Sequence, residues 1–256
     1  MSKIVSIHSF RGGTGKSNLT ANVAATIASQ GKRVGVVDTD ITSPGIHALF
    51  GLDDEKMDKA LNDYLWGTCA VEDTAYDMSG TLKIGKGDVT LMGGDVYLIP
   101  SSIRAREISK VLKQGYNVEM LNDGLRELIH KLGLDYLFID THPGLNEETL
   151  LSIAMSDFLL IILRPDQQDY QGTAVALEVS RKLGVPKILL VVNKVLTEFN
   201  FAEVKKRVAD TYDCEVAGGL PLSKDMIRLG SAGIFCLHFP KHPLTQVIKE
   251  IAGKLE

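Results

Sequence analysis

Six short apolar runs, separated by longer amphipathic stretches, limit the folds that are open to this chain. The runs are rich in β-branched residues and apolar at successive positions, as in parallel strands buried between two helix layers. They are Ile4–Ile7, Val34–Val37, Val96–Ile99, Tyr136–Ile139, Phe158–Leu163 and Ile188–Val192. The amphipathic stretches predict helices at about 16–30, 118–131, 147–155, 168–183, 200–211 and 243–254. The alternation predicts an α/β fold: a doubly wound, mostly parallel sheet with helices on both faces.

The organisation of the chain favours a single domain. It has 256 residues, of which 45% are hydrophobic, enough to bury a large core. No Pro-, Gly- or Ser-rich linker divides it, so residues 1–256 are predicted to form one domain. Residues 51–95 are the least regular part. There, Lys86-Gly87-Asp88 lies between two short β-like runs and predicts a hairpin turn at the edge of the sheet.

Composition excludes several classes of protein. The three cysteines include no C-x-x-C pair, which argues against a disulfide scaffold and a zinc ribbon and favours a cytoplasmic protein. No apolar run approaches the roughly 20 residues that a membrane helix needs. The formal net charge of −4 argues against a general coat of nucleic acid, although a local basic face remains open.

The segment after the first predicted strand has the composition of a phosphate-binding loop. It reads Arg11-Gly12-Gly13-Thr14-Gly15-Lys16-Ser17-Asn18 and opens the first predicted helix. Glycines let backbone N–H groups turn toward an anion, and a helix N-terminus adds partial positive charge. Lys16 would reach the β- and γ-phosphates, and the Ser17 hydroxyl would take one Mg²⁺ position. Phe10 stands where the strict pattern has its first glycine, so a Gly-rich turn that binds nothing is the alternative.

Three aspartates follow predicted strands. Asp38 and Asp40 end the second strand, and Asp140 ends the apolar run that begins at Tyr136. Ligands of open parallel sheets bind at the carboxyl ends of strands, where all three fall. The aspartates are therefore candidates to order a water and to support the shell of Mg²⁺, with Asp38 and Asp140 at the metal. Turn or capping roles are the alternative.

The loop resembles the deviant Walker A box, K-G-G-x-G-K-[ST], of the MinD/ParA family of dimerising P-loop ATPases. Arg11 occupies the position of the family's signature lysine, which reaches across an ATP-sandwich dimer to the partner's phosphates. The resemblance implies ATP, Mg²⁺, a homodimer and slow, partner-stimulated hydrolysis, with Lys16, Asp40 and Arg11 as catalytic residues. Arginine keeps the positive charge and offers a fork suited to phosphate. A solvated Arg11 beside the loop is the alternative.

The base site is predicted at later strand ends. Asn193 ends a strand and could hydrogen-bond the adenine edge, or it could be a turn residue. Related chains wrap backbone and a proline against the base, which here implies Pro221 and Leu222. The guanine-reading pattern Asn-Lys-x-Asp is not completed, since position 196 is Leu. ATP is therefore favoured over GTP.

The resemblance leaves the surface that the ATPase binds open. Non-specific DNA is the first expectation, with localisation in the cytoplasm and possibly at the nucleoid, through the basic residues Arg181, Lys182, Lys205, Lys206 and Arg207. The same residues could be an ordinary solvated face. Membrane binding of the MinD kind is disfavoured by the short, weakly basic segment Ile251–Glu256. Iron–sulfur scaffolds of the Mrp type are disfavoured by the missing C-x-x-C. An activator, a cargo adaptor or another protein partner could also read the ATP state, for example at Arg104, Arg106, Lys110 and Lys113.

Overall fold

Eight strands form one sheet in the computed structural model, which describes residues 2–83 and 93–256. They are β1 Lys3–His8, β2 Arg33–Asp38, β3 Tyr76–Asp77, β4 Asp95–Ile99, β5 Tyr136–Asp140, β6 Phe158–Leu163, β7 Lys187–Val195 and β8 Val216–Pro221. Their spatial order is β3-β4-β2-β5-β1-β6-β7-β8, and among these pairings only β3 and β4 are antiparallel. The doubly wound, mostly parallel sheet is confirmed. The hairpin turn expected at Lys86-Gly87-Asp88 lies outside the described residues.

All six predicted strands are present, and their buried residues explain why the apolar runs identified them. Every residue of β5 is buried, as is expected for a strand that has neighbours on both sides and helices above and below. The sequence did not identify β8, which contains Gly218 and Gly219 and so has little strand propensity. A Cβ on Gly218 would lie 2.7 Å from Cδ1 of Ile251. The glycine is therefore explained by the close approach of a helix.

The helices cover both faces of the sheet. In the described residues they are α1 Lys16–Ala28, α2 Ile46–Phe50, α3 Leu61–Leu65, α4 Ala105–Gln114, α5 Val118–Leu132, α6 Glu147–Ala154, α7 Gln167–Lys182, α8 Phe201–Tyr212, α9 Lys224–Leu229, α10 Phe235–His238 and α11 Pro243–Gly253. One large apolar cluster includes side chains of α1, α2, α10 and α11, while two further clusters form around α5 and around α7 with α8. The six predicted helices are all observed. None of the helices described has the length and apolarity needed to cross a bilayer.

The amino end of β1 lies against the last residues of the chain. Nζ of Lys3 donates hydrogen bonds to the carbonyl oxygens of Leu255, at 3.0 Å, and Glu256, at 2.7 Å. The parallel strands end on the opposite edge of the sheet, which we call the carboxyl edge. The predicted phosphate loop and the aspartates all follow strands at that edge, as the sequence analysis expected.

Candidate nucleotide-binding site

The predicted phosphate loop connects β1 to α1. Gly13 and Gly15 have backbone φ angles of 74° and 102°, a region that residues with side chains rarely adopt. A Cβ on Gly15 would also lie 2.6 Å from Nδ2 of Asn193. That nitrogen donates a hydrogen bond to the carbonyl oxygen of Thr14 at 2.7 Å. The loop is thus folded closely against β7 and leads into the N-terminus of α1, an arrangement suited to an anion.

Lys16 is the first residue of α1 and is only 8% exposed. Its Nζ donates to Oγ of Ser9 at 3.3 Å. Burial lowers the pKa of Lys16, whereas three nearby carboxylates raise it, those of Asp140, Asp40 and Asp38. One lysine faces three carboxyl groups, and burial raises the pKa of each of the three. A divalent cation bound beside them would favour their charged forms.

Asp38 closes the turn that follows β2. Its carboxylate is fully buried and accepts the backbone N–H groups of Asp40 at 3.0 Å and Gly45 at 3.1 Å. Burial raises the pKa of Asp38 well above its usual value, and the negative charge of Asp140 raises it further. Asp38 therefore fixes the position of Asp40 through the backbone. Its role in the shell of a metal ion stays a prediction.

Asp140 and Ser17 meet where β5 approaches α1. Asp140 pairs with Asp38 in the register of β5 and β2. Burial raises the pKa of Asp140 to about 6, although a hydrogen bond from Ser17 and the charge of Lys16 lower it. The carboxylate also accepts a hydrogen bond from Oγ1 of Thr20 at 3.3 Å. A carboxylate beside a hydroxyl is a donor set that fits Mg²⁺, so Ser17 and Asp140 would hold the ion from the side of the protein.

Asp40 lies at the edge of this cluster. Its Oδ1 accepts the Ser43 N–H at 3.1 Å and lies 3.7 Å from Nε2 of His142. Burial raises the pKa of Asp40, while His142 and Lys16 lower it. The other ring nitrogen of His142 donates to the carbonyl oxygen of Pro143 at 2.6 Å, which fixes the ring. The carboxylate predicted to order water is thus held close to Lys16.

A cavity of about 310 Å³ opens beside the loop. Its lining includes six residues of the predicted nucleotide site, which are Gly13, Gly15, Asn18, Asn193, Pro221 and Leu222. The sequence analysis did not identify its apolar walls on α9 and α11, formed by Met226, Ile227, Leu244 and Ile248. It also missed Lys194, whose Nζ donates to the carbonyl oxygen of Gly13 at 2.7 Å. Because Asn193 uses its amide nitrogen on the loop, its contact with an adenine edge stays a prediction.

Arg11 lies beside the N-terminus of α7. Its Nη1 is 3.7 Å from Oδ1 of Asp169 and 3.8 Å from Oδ1 of Asp166. Arg164 pairs with the same two carboxylates, so two positive charges face two negative charges. The side chains of Arg11 and Asp166 are 41% and 43% exposed, so this pair contributes little stability, whereas Asp169 is only 2% exposed. If Arg11 moved to phosphate oxygens, the buried Asp169 carboxylate would still be paired with Arg164 at 3.0 Å.

Phe10, which replaces the first glycine of the strict loop pattern, packs on α7. A Cβ on Gly172 would lie 2.3 Å from Cδ1 of Phe10 and 2.5 Å from its Cγ. The ring therefore occupies space that only a glycine at position 172 leaves free. This contact ties the beginning of the phosphate loop to α7.

The basic residues predicted to bind DNA fall into two groups. Arg181 donates two hydrogen bonds of 2.8 Å to carbonyl oxygens at the C-terminal end of α8. Lys182 pairs with Glu178 at 2.6 Å. These two residues are therefore engaged within the chain. The remaining predicted residues lie on α8, where Lys205 is partly exposed and Lys206 and Arg207 are exposed.

Comparison with known proteins identifies the family. Residues 2–185 match a family model described as an AAA domain, a range that includes the phosphate loop and the three aspartates. The chain belongs to the MinD/ParA family of P-loop ATPases. The septum site-determining protein MinD of Pyrococcus horikoshii OT3, solved with Mg-ADP, has the same fold as this MinD/ParA protein. Their TM-score is 0.81 at 22% identity, over 100% of this chain and 96% of that one.

Two proteins similar in sequence to this chain carry different descriptions. The chain is 28% identical over 257 residues to an "uncharacterized ATP-binding protein" of Methanocaldococcus jannaschii, covering 100% of this chain and 88% of that protein. It is also 28% identical over 248 residues to the cytosolic Fe-S cluster assembly factor CFD1 of Yarrowia lipolytica, covering 88% and 76%. The chain is thus similar to an iron–sulfur assembly factor, although the sequence analysis disfavoured an iron–sulfur scaffold because C-x-x-C is missing. Each cysteine packs against a different apolar cluster, at Cys69, Cys214 and Cys236.

Proposed function

We propose that residues 1–256 form one ATPase domain that binds ATP with Mg²⁺ and hydrolyses it slowly as a homodimer. The observation that carries this proposal is the convergence of a buried lysine, three aspartates and an apolar cavity at the carboxyl edge. Lys16 and Arg11 would stabilise charge on the transferred phosphoryl group. Ser17 would hold Mg²⁺, Asp38 and Asp140 would support its shell, and Asp40 would orient the water. The cation, when bound, neutralises charge on the β- and γ-phosphates.

Two further observations support ATP as the nucleotide. Leu196 stands where the guanine-reading pattern requires an aspartate. The MinD of similar fold was solved with Mg-ADP. In this proposal the base enters the cavity beside Asn193, between the loop and the apolar side chains of α9 and α11. The nucleotide contacts run from Arg11 to Asn18 and include Asn193, Pro221 and Leu222.

Substitution of Lys16 tests the nucleotide site. Lys16→Ala removes a buried ammonium that would donate charge-assisted hydrogen bonds to phosphate, so we expect ATP affinity to fall at least about 100-fold. Isothermal titration of both proteins with Mg-ATP measures the change. Lys241→Ala, at an exposed position, is the matched control and should retain wild-type affinity. If Lys16→Ala bound Mg-ATP with wild-type affinity, the predicted phosphate loop would not be part of the nucleotide site.

We also propose that the ATP-bound dimer binds a surface and that hydrolysis, stimulated by an activator or cargo adaptor, releases it. Non-specific DNA is the first candidate because positive charge is exposed on α8, at Lys205, Lys206 and Arg207. Arg181 donates to carbonyl oxygens within the chain and no longer supports this surface, whereas Lys182 stays exposed in a surface pair with Glu178 and could still add positive charge. A membrane surface of the MinD kind and a protein partner are the alternatives. In this proposal the ATPase is located in the cytoplasm, and at the nucleoid if DNA is the surface that it binds.

Co-sedimentation distinguishes these surfaces. Asp40→Ala should retain ATP but turn over at least about 100-fold more slowly, which traps the ATP state. With this variant, DNA binding that needs Mg-ATP, weakens with salt and is lost in Lys206→Glu/Arg207→Glu supports the DNA proposal. Binding to anionic liposomes alone would instead favour the membrane reading. Binding to neither surface would leave a protein partner as the reader of the ATP state.

The relatives named as Fe-S cluster assembly factors favour a second candidate, an iron–sulfur carrier. The fold separates the three cysteines within one subunit, so any cluster would need thiols from two subunits. Anaerobic incubation with iron and sulfide, followed by absorption spectroscopy, tests this candidate. A stoichiometric cluster spectrum that is lost in Cys69→Ser or Cys214→Ser would support it. No spectrum in the ATP-bound dimer would exclude it.

A further inference from the structure

A row of buried hydroxyl groups runs along the carboxyl edge of the sheet. Each hydroxyl belongs to a residue just after a strand and donates to a main-chain carbonyl of the next strand. The hydroxyl row consists of Ser101 Oγ to Asp38 O at 2.7 Å, Thr39 Oγ1 to Asp140 O at 3.0 Å, and Thr141 Oγ1 to Ile7 O at 3.0 Å. It follows the spatial order β4-β2-β5-β1. The row therefore fixes the backbone of both aspartates of the proposed metal shell.

His8 stands at the end of the hydroxyl row. It is the last residue of β1 and is fully buried, and its Nδ1 lies 3.0 Å from Oγ1 of Thr141. Oγ1 of Thr141 also lies 3.0 Å from the carbonyl oxygen of Ile7, and with its proton directed there the hydroxyl oxygen accepts a hydrogen bond from Nδ1 of His8. This arrangement requires the Nδ1–H tautomer of the ring, with a lone pair on Nε2. Among the described residues, this buried Nε2 has no hydrogen-bond partner.

The surroundings of His8 exclude its charged form. Burial, together with the positive charges of Lys16, on α1, and His142, after β5, lowers the pKa of His8 to about 3. An uncharged ring therefore lies between the phosphate loop and the segment after β5. It can donate a hydrogen bond without adding a charge next to Lys16.

We propose that His8 is a positioning residue that holds Thr141, and through it Asp140, in place beside Ser17. This inference rests on the proposed ATPase function. Asp140 belongs to β5, whereas Ser17 belongs to α1, so their alignment requires that the ends of β5 and β1 stay in register. Thr141 follows Asp140 directly and is held both by the Ile7 carbonyl and by His8. Loss of either contact would let the Asp140 carboxylate move relative to Ser17.

Nitrogen NMR tests the contact itself, independently of nucleotide. Long-range ¹H–¹⁵N spectra of the wild-type protein should show His8 as the uncharged Nδ1–H tautomer between pH 6 and 8. Thr141→Val removes the acceptor and should shift the ring toward the Nε2–H form, whereas Thr141→Ser should not. An Nε2–H tautomer in the wild-type protein would overturn the inference.

The contribution of Mg²⁺ to ATP affinity tests the positioning role. For each variant, the Kd for ATP is measured in EDTA and in Mg²⁺. The ratio of the Kd in EDTA to the Kd in Mg²⁺ reports how much bound Mg²⁺ strengthens ATP binding. Outer-shell changes weaken metal affinity about 10- to 100-fold, so His8→Leu and Thr141→Val should lower the ratio by that factor and leave the Kd in EDTA unchanged. The double variant should lose no more than either single one. His8→Asn, whose amide nitrogen can replace Nδ1 as a donor, should retain most of the ratio.

The outcomes separate this inference from the proposed function. A wild-type protein that binds Mg-ATP, together with an unchanged ratio in His8→Leu and Thr141→Val, would overturn the positioning role alone. A wild-type protein that binds no ATP would overturn the ATPase proposal and this inference with it. If thermal unfolding shows that His8→Leu does not fold, Thr141→Val and His8→Asn decide between these results.

Discussion

The buried carboxyl group of Asp140 contributes to the pH dependence of the stability of the nucleotide-free protein, together with Asp38 and Asp40, whose pKa values are also raised by burial. The pKa of Asp140 is about 6 in the folded chain, against 3.8 ordinarily. Between these values the folded state binds more protons than the unfolded state. The free energy of unfolding should therefore fall as pH rises from about 4 to about 6, by up to about 3 kcal/mol from this group.

Asp140→Asn should make that dependence shallower without abolishing it, because Asp38 and Asp40 still titrate with raised pKa values. The amide cannot ionise, so the variant avoids the cost of a buried charge and should be more stable than wild type at pH 7. Urea unfolding at several pH values between 4 and 7, without Mg²⁺, measures the difference. Asp210→Asn, at an exposed position on α8, should follow the wild-type curve. Parallel curves for Asp140→Asn and wild type would show that the carboxyl is not the source of the dependence.

The sequence predicts those site residues that are defined by a pattern of neighbouring residues, and it does not predict those defined by contacts between distant segments. The loop from Arg11 to Ser17 and the strand-terminal aspartates are recognisable because spacing along the chain defines them. His8 and Thr141 carry no such signal, because their contacts depend on β5 lying next to β1, and these strands are far apart in sequence. The position of Arg11 against Asp169 is likewise a property of the folded chain.

At the scale of elements, the contact between the phosphate loop and α7 depends on one glycine. Gly172→Ala should destabilise the protein by about 1–3 kcal/mol, because the new methyl group would overlap the ring of Phe10. The same change made in Phe10→Ala should cost much less, since the ring is then absent. Urea unfolding of the four proteins completes the cycle. Equal costs in both backgrounds would show that Phe10 is not what restricts position 172.

Gly253→Ala is the control for that cycle. Gly253 lies in α11 with open space around its Cα and a negative φ, so alanine there should be neutral or stabilising by up to about 1 kcal/mol. The two helical glycines, Gly172 and Gly253, thus look alike in sequence but should respond differently to alanine.

The strand β8 was not predicted from the sequence for a similar reason, since the role of its glycines depends on contacts in the folded chain. Gly218 and Gly219 give β8 little strand propensity, and the folded chain shows why the first is there: side chains of α11 approach Gly218 closely, while side chains of α8 lie near Gly219.

At the scale of the whole molecule, Arg11 should control ATP-dependent dimerisation. In the Asp40→Ala background, Arg11→Ala should remain monomeric with Mg-ATP, because it loses the charge proposed to reach the partner's phosphates. Arg11→Lys should restore part of the dimer, since it keeps the charge but not the planar fork. Analytical ultracentrifugation with and without Mg-ATP measures each state.

A second arginine provides the control for this experiment. Arg126→Ala, at an exposed position on α5, should dimerise as the Asp40→Ala parent does. A dimer that is unchanged in Arg11→Ala would place Arg11 outside the interface and leave it as a partner of Asp166 and Asp169. Of the proposed features, the dimer interface is the least predictable from the sequence, because it consists of contacts between two copies of the chain.

The contact between Lys3 and the last carbonyl groups has a practical consequence for handling the protein. Both places lie at the amino end of β1, and a strand of six residues puts roughly 20 Å between them and the carboxyl edge. A tether or a fluorescent dye attached next to Lys3 or Leu255 would therefore be carried on the side opposite the phosphate loop. Immobilised on a slide in this orientation, the molecule would present its nucleotide edge to the solution and to an arriving second copy.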